Sequence, residues 1–150
     1  MSAESVCVTR RIAASPAQVF EAWTNAALLR RWLAPQAEAA GREGGHFRLE
    51  VSRPEGSHIV TGEYREFMPG RRLVMTWVYE GPMAPEGKMD ALLTVDFRQD
   101  GRNTEILLRH DNLTNPTYRE TIQKGAWTKA LDELEKVLAD SASQEHKAHA

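Results

Sequence analysis

Cys7 is the only cysteine in the chain of 150 residues. An internal disulfide and a multi-cysteine zinc site are both excluded, and a reducing compartment is the expectation. Long apolar runs are also missing, for no segment approaches the ~18 residues that a membrane-spanning helix needs. Neither sign of charge dominates: 19 Lys and Arg stand against 21 Asp and Glu, a net charge of -2. Such a balance exerts no general pull on phosphate backbones or anionic lipid, so a nucleic-acid partner is not expected. The opening Met1-Ser2-Ala3-Glu4 lacks a basic-then-apolar pattern, and the expected location is cytoplasmic. Motifs with built-in chemistry are absent as well: there is no G-x-S-x-G, H-E-x-x-H, C-x-x-C, P-loop or G-x-G-x-x-G. Of His46, His58, His110, His146 and His149, only the last two are close in sequence, so neither a metal nor a cofactor is expected.

What is present suits an ordinary globular domain, with 41% hydrophobic and 27% charged residues. A chain of this length can bury roughly 70% of its unfolded surface around one core. Val6, Val8, Arg10 and Ile12 alternate with Cys7, Thr9 and Arg11, which predicts a strand with one buried face. Ser15-Pro16 with Gln18 reads as a capping box opening a short helix, and Leu28, Leu29 and Trp32 mark a second. The Ala-, Gly- and charge-rich stretch from Leu33 to Gly45 reads as a loop. Five further strands follow: Phe47 to Val51, His58 to Phe67, Leu73 to Tyr79, Met89 to Phe97 and Thr104 to Asp111. Pro54-Glu55-Gly56, Pro69-Gly70 and Asp100-Gly101 supply the turns between them.

Asn115-Pro116 then caps a helix predicted to run to about Leu138, roughly 34 Å at 1.5 Å per residue. Trp127, Leu131, Leu134 and Leu138 form its inner stripe, while Tyr118, Ile122 and Ala126 form a stripe displaced around the axis. Gly125 lies at the junction, where a bend is expected. Residues 141–150 carry no apolar stripe and read as a flexible tail, leaving 1–140 as one domain. Together these elements predict an α+β fold in which a curved six-stranded antiparallel sheet wraps a long C-terminal helix.

This order resembles the bacterial homologues of the heat-shock-protein-ninety ATPase activator domain, within the START-related (helix-grip, SRPBCC) superfamily. The residues that carry the resemblance span nearly the whole chain. They are Ala14-Ser15-Pro16, Val19 to Thr24, Trp32, Gly44-Gly45, Gly62 with Tyr64, Arg72-Leu73-Val74, Thr104, His110 and the stripe from Trp127 to Leu138. Ala126 separates Gly125 from Trp127, whereas the family often has glycine directly before that tryptophan. The resemblance implies a helix-grip fold with a cavity between sheet and helix. It implies no particular ligand, because members look like a mixture of carriers, hydrolases or cyclases and partner-binding domains.

A cavity that recognises a ligand needs a few fixed polar groups among apolar walls. Arg10, Tyr64 and His110 fall on inward faces, and Gly62 would leave room beside Tyr64. The competing structural reading pairs Arg10 with a carboxylate such as Glu66 and uses His110 to cap a turn. Phe47, Leu49, Tyr64, Trp77, Leu93, Val95, Trp127 and Leu131 are the expected apolar walls, with Arg10 and His110 orienting a polar end. The expected partner is thus a small apolar molecule of unknown identity, with the chain a monomer or homodimer. One alternative is an enzyme of hydrolase or cyclase type using His110 or Asp111 near Tyr64 and Arg10. The other is a protein-interaction domain meeting its partner through the 33–45 or 81–87 loops. Deleting residues 141–150 is expected to leave the melting temperature unchanged; a large fall in thermal unfolding would show that the segment docks on the domain.

Overall fold

A computed structural model describes residues 4–85 and 87–148, with side chains through Ala139. In chain order the elements are β1 (Val6–Ile12), α1 (Pro16–Thr24), α2 (Ala26–Trp32), β2 (Gln36–Ala39), β3 (His46–Arg53), β4 (Gly56–Met68), β5 (Arg72–Glu80), β6 (Met89–Asp100) and β7 (Asn103–Asp111). Then come α3 (Pro116–Thr121), a π turn (Ile122–Ala126) and α4 (Trp127–Ala148). All seven strands form one antiparallel sheet in the order β1-β7-β6-β5-β4-β3-β2. The α+β class and the two short helices after β1 agree with the sequence analysis. The strand count does not, because Gln36–Ala39, expected as loop, pairs with β3 with Ala37 opposite Leu49. Alanine has little intrinsic strand preference, so this short edge owes its form to the longer strand it covers.

The period-2 pattern decides which face is buried. On β5 Leu73, Met75, Trp77 and Tyr79 are buried, and on β6 Met89, Ala91, Leu93, Val95 and Phe97 share that face. Register sets Leu93 opposite Met75 on one side and His110 on the other. A register shift between Tyr64 and Glu66 marks a bulge in β4, a device that bends a strand and helps a sheet curl. Gly62 sits just before it. A Cβ there would collide with the Thr76 carbonyl oxygen and lie 2.6 Å from the Phe47 ring. The space beside Tyr64 is therefore taken by backbone and aromatic ring.

Each helix begins as its sequence dictates. Ser15 accepts from the Gln18 backbone N–H, and the Gln18 side chain accepts from the Ser15 N–H. Asn25 and Asn115 cap α2 and α3 in the same way through Leu28 and Tyr118. Leu131 and Leu134 on α4 are fully buried, each contributing about 1.5–3 kcal/mol by the burial of its side chain.

The last helix is divided, where the sequence suggests one continuous element with a bend. Gly125 adopts φ 111° and ψ 23°, a left-handed conformation that interrupts the helical ladder. The break rotates α3 against α4, so Tyr118 and Ile122 are buried together with Trp127 and Leu131. The backbone of α4 continues to Ala148, through most of the segment expected as a tail. His149 and Ala150 lie outside the described residues. Gly125→Ala should destabilise the fold by about 1–2 kcal/mol, the cost of a Cβ in left-handed backbone. Chemical denaturation measures it, and an unchanged midpoint would mean that the break is not held in solution.

Candidate functional site

Between the concave face of the sheet and the divided helix lies a cleft of about 420 Å³. Its position follows from the topology. Trp77 and Tyr79 are two residues apart on β5 and therefore face the same way, toward the helices. The β3–β4 hairpin contributes Val51 and Val60 below and Arg53, Glu55 and His58 at its tip. Opposite them stand Tyr118 and Thr121 from α3, Ile122 and Ala126 from the π turn, and Trp127 and Ala130 from α4. Leu33, just after α2, and Met83, in the loop after β5, complete the wall. The interior is apolar, and the ionisable groups gather at the hairpin end. Another hollow, of about 470 Å³, lies over Glu38, His46, Arg48, Glu63 and Arg65. Those polar side chains belong to the outer face of the sheet, with Phe47 and Gly62 also in the lining.

The aromatic wall is fixed by hydrogen bonds as well as by packing. Trp77 Nε1–H donates to the Tyr118 hydroxyl at 2.9 Å, and Trp127 Nε1–H donates to His110 Nδ1 at 3.0 Å. The Trp77 and Trp127 rings lie 5.4 Å apart, and Trp127 also packs at 5.6 Å on Trp23. Burial pushes the Tyr118 phenol up to about 12, so it remains neutral. Because Nδ1 accepts, the neutral His110 ring carries its proton on Nε2, which has no hydrogen-bond partner among the described residues. Burial pushes His110 down to about 3 against a smaller opposing effect of Asp111.

A second set of bonds lines the hairpin end. Glu55 Oε2 lies 2.9 Å from His58 Nε2, and His58 Nδ1 lies 2.7 Å from the Tyr79 hydroxyl. The Met83 backbone N–H donates to the same hydroxyl at 3.2 Å. Burial raises the Tyr79 phenol above its ordinary value, with the Met83 N–H acting the other way. The hydrogen bond to His58 holds Glu55 below the usual carboxylate range.

Of the residues the sequence nominates, Trp77 and Trp127 line the cleft. Phe47, Leu49, Tyr64, Leu93, Val95 and Leu131 are core residues outside its lining, because the apolar face of the sheet extends well beyond the cleft; Phe47 borders the other hollow instead. Tyr64 donates its hydroxyl to the Trp23 carbonyl at 3.1 Å and is spent structurally. Arg10 is also engaged elsewhere. Its guanidinium reaches Asp132 and Glu135 on α4, each at 2.9 Å, instead of the cleft or Glu66, which pairs with Arg72. His110 supports Trp127 from behind; it neither caps a turn nor lines the cleft. Glu55, His58, Tyr118 and Ile122, which also line the cleft, are not among the residues nominated from the sequence for a pocket. The available signal was positional: Glu55 and His58 flank a hairpin tip, and Tyr79 shares the inward parity of Trp77.

The state of His110 has a consequence for acid stability. Its folded value, about 3, lies below the ordinary 6.5. Across that window the unfolded chain binds the proton more readily, so stability falls as pH drops from 6.5 toward 3. His110→Asn keeps an acceptor for Trp127 and removes the titration. Its stability should vary less than the parent's between pH 6.5 and 5, above most carboxylate titration, as measured by denaturant unfolding. Parallel curves would show that His110 takes up its proton equally in the folded and unfolded chain, against the burial argued above.

A family model described as activator of Hsp90 ATPase homolog 1-like protein matches residues 13–139. No curated protein matches the chain. A crystal structure from Rhodobacter sphaeroides superimposes with a TM-score of 0.75 at 27% identity, covering 93% of this chain and 94% of the other. Another, from Nitrosomonas europaea, gives 0.77 at 18% identity over 95% and 99%. CalU16 from Micromonospora echinospora gives 0.69 at 27% identity over 89% of this chain and 73% of its own. The fold is therefore shared at low identity, and no helix of the described residues is long and apolar enough to cross a membrane. With the family model matched over most of its length, the chain belongs to the activator of Hsp90 ATPase homolog 1-like family.

Proposed function

We propose that the chain binds a small, largely apolar molecule with one polar end, in the cleft between the sheet and the C-terminal helices. The observation that carries this reading is the composition of the cleft. Trp77, Trp127, Ile122, Val51 and Val60 surround about 420 Å³, a volume within the ordinary range for small-molecule sites. Small residues face it from the helical side, since Ala126 and Ala130 leave space that a larger side chain would fill. The polar end of the ligand belongs at the hairpin tip, beside Arg53, His58 and Tyr79, a reassignment from Arg10 and His110. Arg10 already has two carboxylate partners, and His110 sits behind Trp127.

An apolar environment-sensitive dye should bind with a measurable affinity, and its binding should change the fluorescence of Trp77 or Trp127. Ala126→Phe places a ring in the cleft from a partly exposed position. It is expected to weaken dye binding at least about tenfold, or roughly 1.4 kcal/mol, while leaving the melting temperature close to that of the parent. A folded Ala126→Phe protein with unchanged affinity would place the binding elsewhere.

A further inference from the structure

With a neutral His58 ring, the hydrogen bonds at the hairpin end take one direction. The Glu55 carboxylate can only accept, so His58 Nε2 carries a proton. In the neutral ring Nδ1 is then an acceptor, and the Tyr79 hydroxyl donates to it across 2.7 Å. The Met83 N–H can only donate, so it occupies one lone pair of the Tyr79 oxygen. One lone pair on that oxygen remains. The phenol is thus an acceptor in a wall otherwise built from tryptophan, isoleucine and valine, with a base directly behind it.

We propose that this cleft takes small phenols or enols and holds them as their conjugate bases, with Glu55, His58 and Tyr79 acting as a proton relay. The ligand's O–H bond breaks as its proton passes to the Tyr79 oxygen, and the Tyr79 proton passes to His58 Nδ1. Tyr79 ends as it began, a neutral phenol, now donating its hydrogen to the ligand oxyanion. His58 ends as an imidazolium held by the Glu55 carboxylate. One proton leaves the ligand and one arrives on the imidazole, so no oxidant, reductant or further reactant is needed. The raised value of Tyr79 suits this role, because a phenol that resists ionisation transmits a proton without keeping the charge. Arg53 lines the same end and adds positive charge near the oxyanion. Gly81 matters to the geometry, since a Cβ there would lie 2.6 Å from the Tyr79 hydroxyl. The proposal rests on the cleft being a ligand site and adds the chemical class of the ligand.

para-Nitrophenol is a suitable probe because its phenolate absorbs apart from its phenol. A bare apolar cleft would favour the uncharged phenol. The relay reverses that preference, so the bound probe should lie at least about tenfold further toward phenolate than the free probe at the same pH, one unit in its ionisation constant. His58→Gln and Tyr79→Phe should hold the bound probe as neutral phenol. Glu55→Gln should lose part of the excess, since the imidazolium then lacks its counter-charge. A probe bound as neutral phenol in the parent, or as phenolate to the same extent in His58→Gln, would overturn the relay while leaving the apolar site standing. If the dye binds and the probe does not displace it, the assigned ligand class is wrong. If neither binds, the site itself fails.

Discussion

The bond from Trp127 to His110 is the contact on which the geometry of the cleft depends. It joins the first residue of α4 to the last turnward stretch of β7, and both partners are buried. An indole N–H buried without an acceptor costs about 1–3 kcal/mol, so the helix cannot rotate away from this register cheaply. The imidazole must stay neutral to keep Nδ1 as the acceptor, and burial enforces that state. Once Trp127 is fixed, its ring meets Trp77 on β5 and Trp23 on α1, which ties three elements to one side chain.

The break at Gly125 works with that anchor. A straight helix starting at Pro116 would carry Tyr118 and Trp127 on faces displaced around the axis, and only one could point squarely into the sheet. Left-handed backbone at Gly125 lets both be buried, Tyr118 over Trp77 and Trp127 over His110. The residues that span the break, Ile122 and Ala126, then border the open space. The cleft is the volume left where the helix changes direction over a curved sheet. Within the first three turns of α4, Asp132 and Glu135 meet Arg10 of β1; with both carboxylates largely exposed each contact contributes little energy, about 0–1 kcal/mol, but ties the helix to β1.

Much of this architecture was readable from the sequence because it follows from local rules. The capping box at Ser15, the caps at Asn25 and Asn115, and the alternation from Leu73 to Tyr79 depend on neighbours a few residues away. The family pattern added the helix-grip topology, which is a matter of order. Strand β2 was not readable, since Gln36–Ala39 becomes a strand only by lying along β3. The site suffered for a related reason. Parity identifies which residues face inward, but not whether an inward residue meets packed core or open space. Leu93, Val95 and Leu131 share an inward direction with Trp77, yet lie where sheet and helix touch, while Trp77 lies where they part. Arg10 had the correct face and the wrong partner, because α4 crosses above β1 at a place that periodicity cannot specify.

The distribution of polar groups separates structural chemistry from chemistry available to a ligand. In the interior, Tyr64 is committed to a backbone carbonyl, Thr104 donates to the Ala14 carbonyl, and Tyr118 accepts from Trp77. These bonds satisfy groups that burial would otherwise penalise, and neither partner gains by exchanging a proton. The hairpin end is built differently. Its imidazole stands between an exposed carboxylate and a buried phenol, so the two sides of one ring experience water and apolar surroundings respectively. Charge formed on that ring is compensated from the water side, while the phenol presents its remaining lone pair from the apolar side. In the proposed relay the proton taken from the ligand therefore rests on His58, where the exposed Glu55 compensates it, while the ligand oxyanion is met by the Tyr79 hydroxyl; the buried His110, behind Trp127, has no such connection to the cleft.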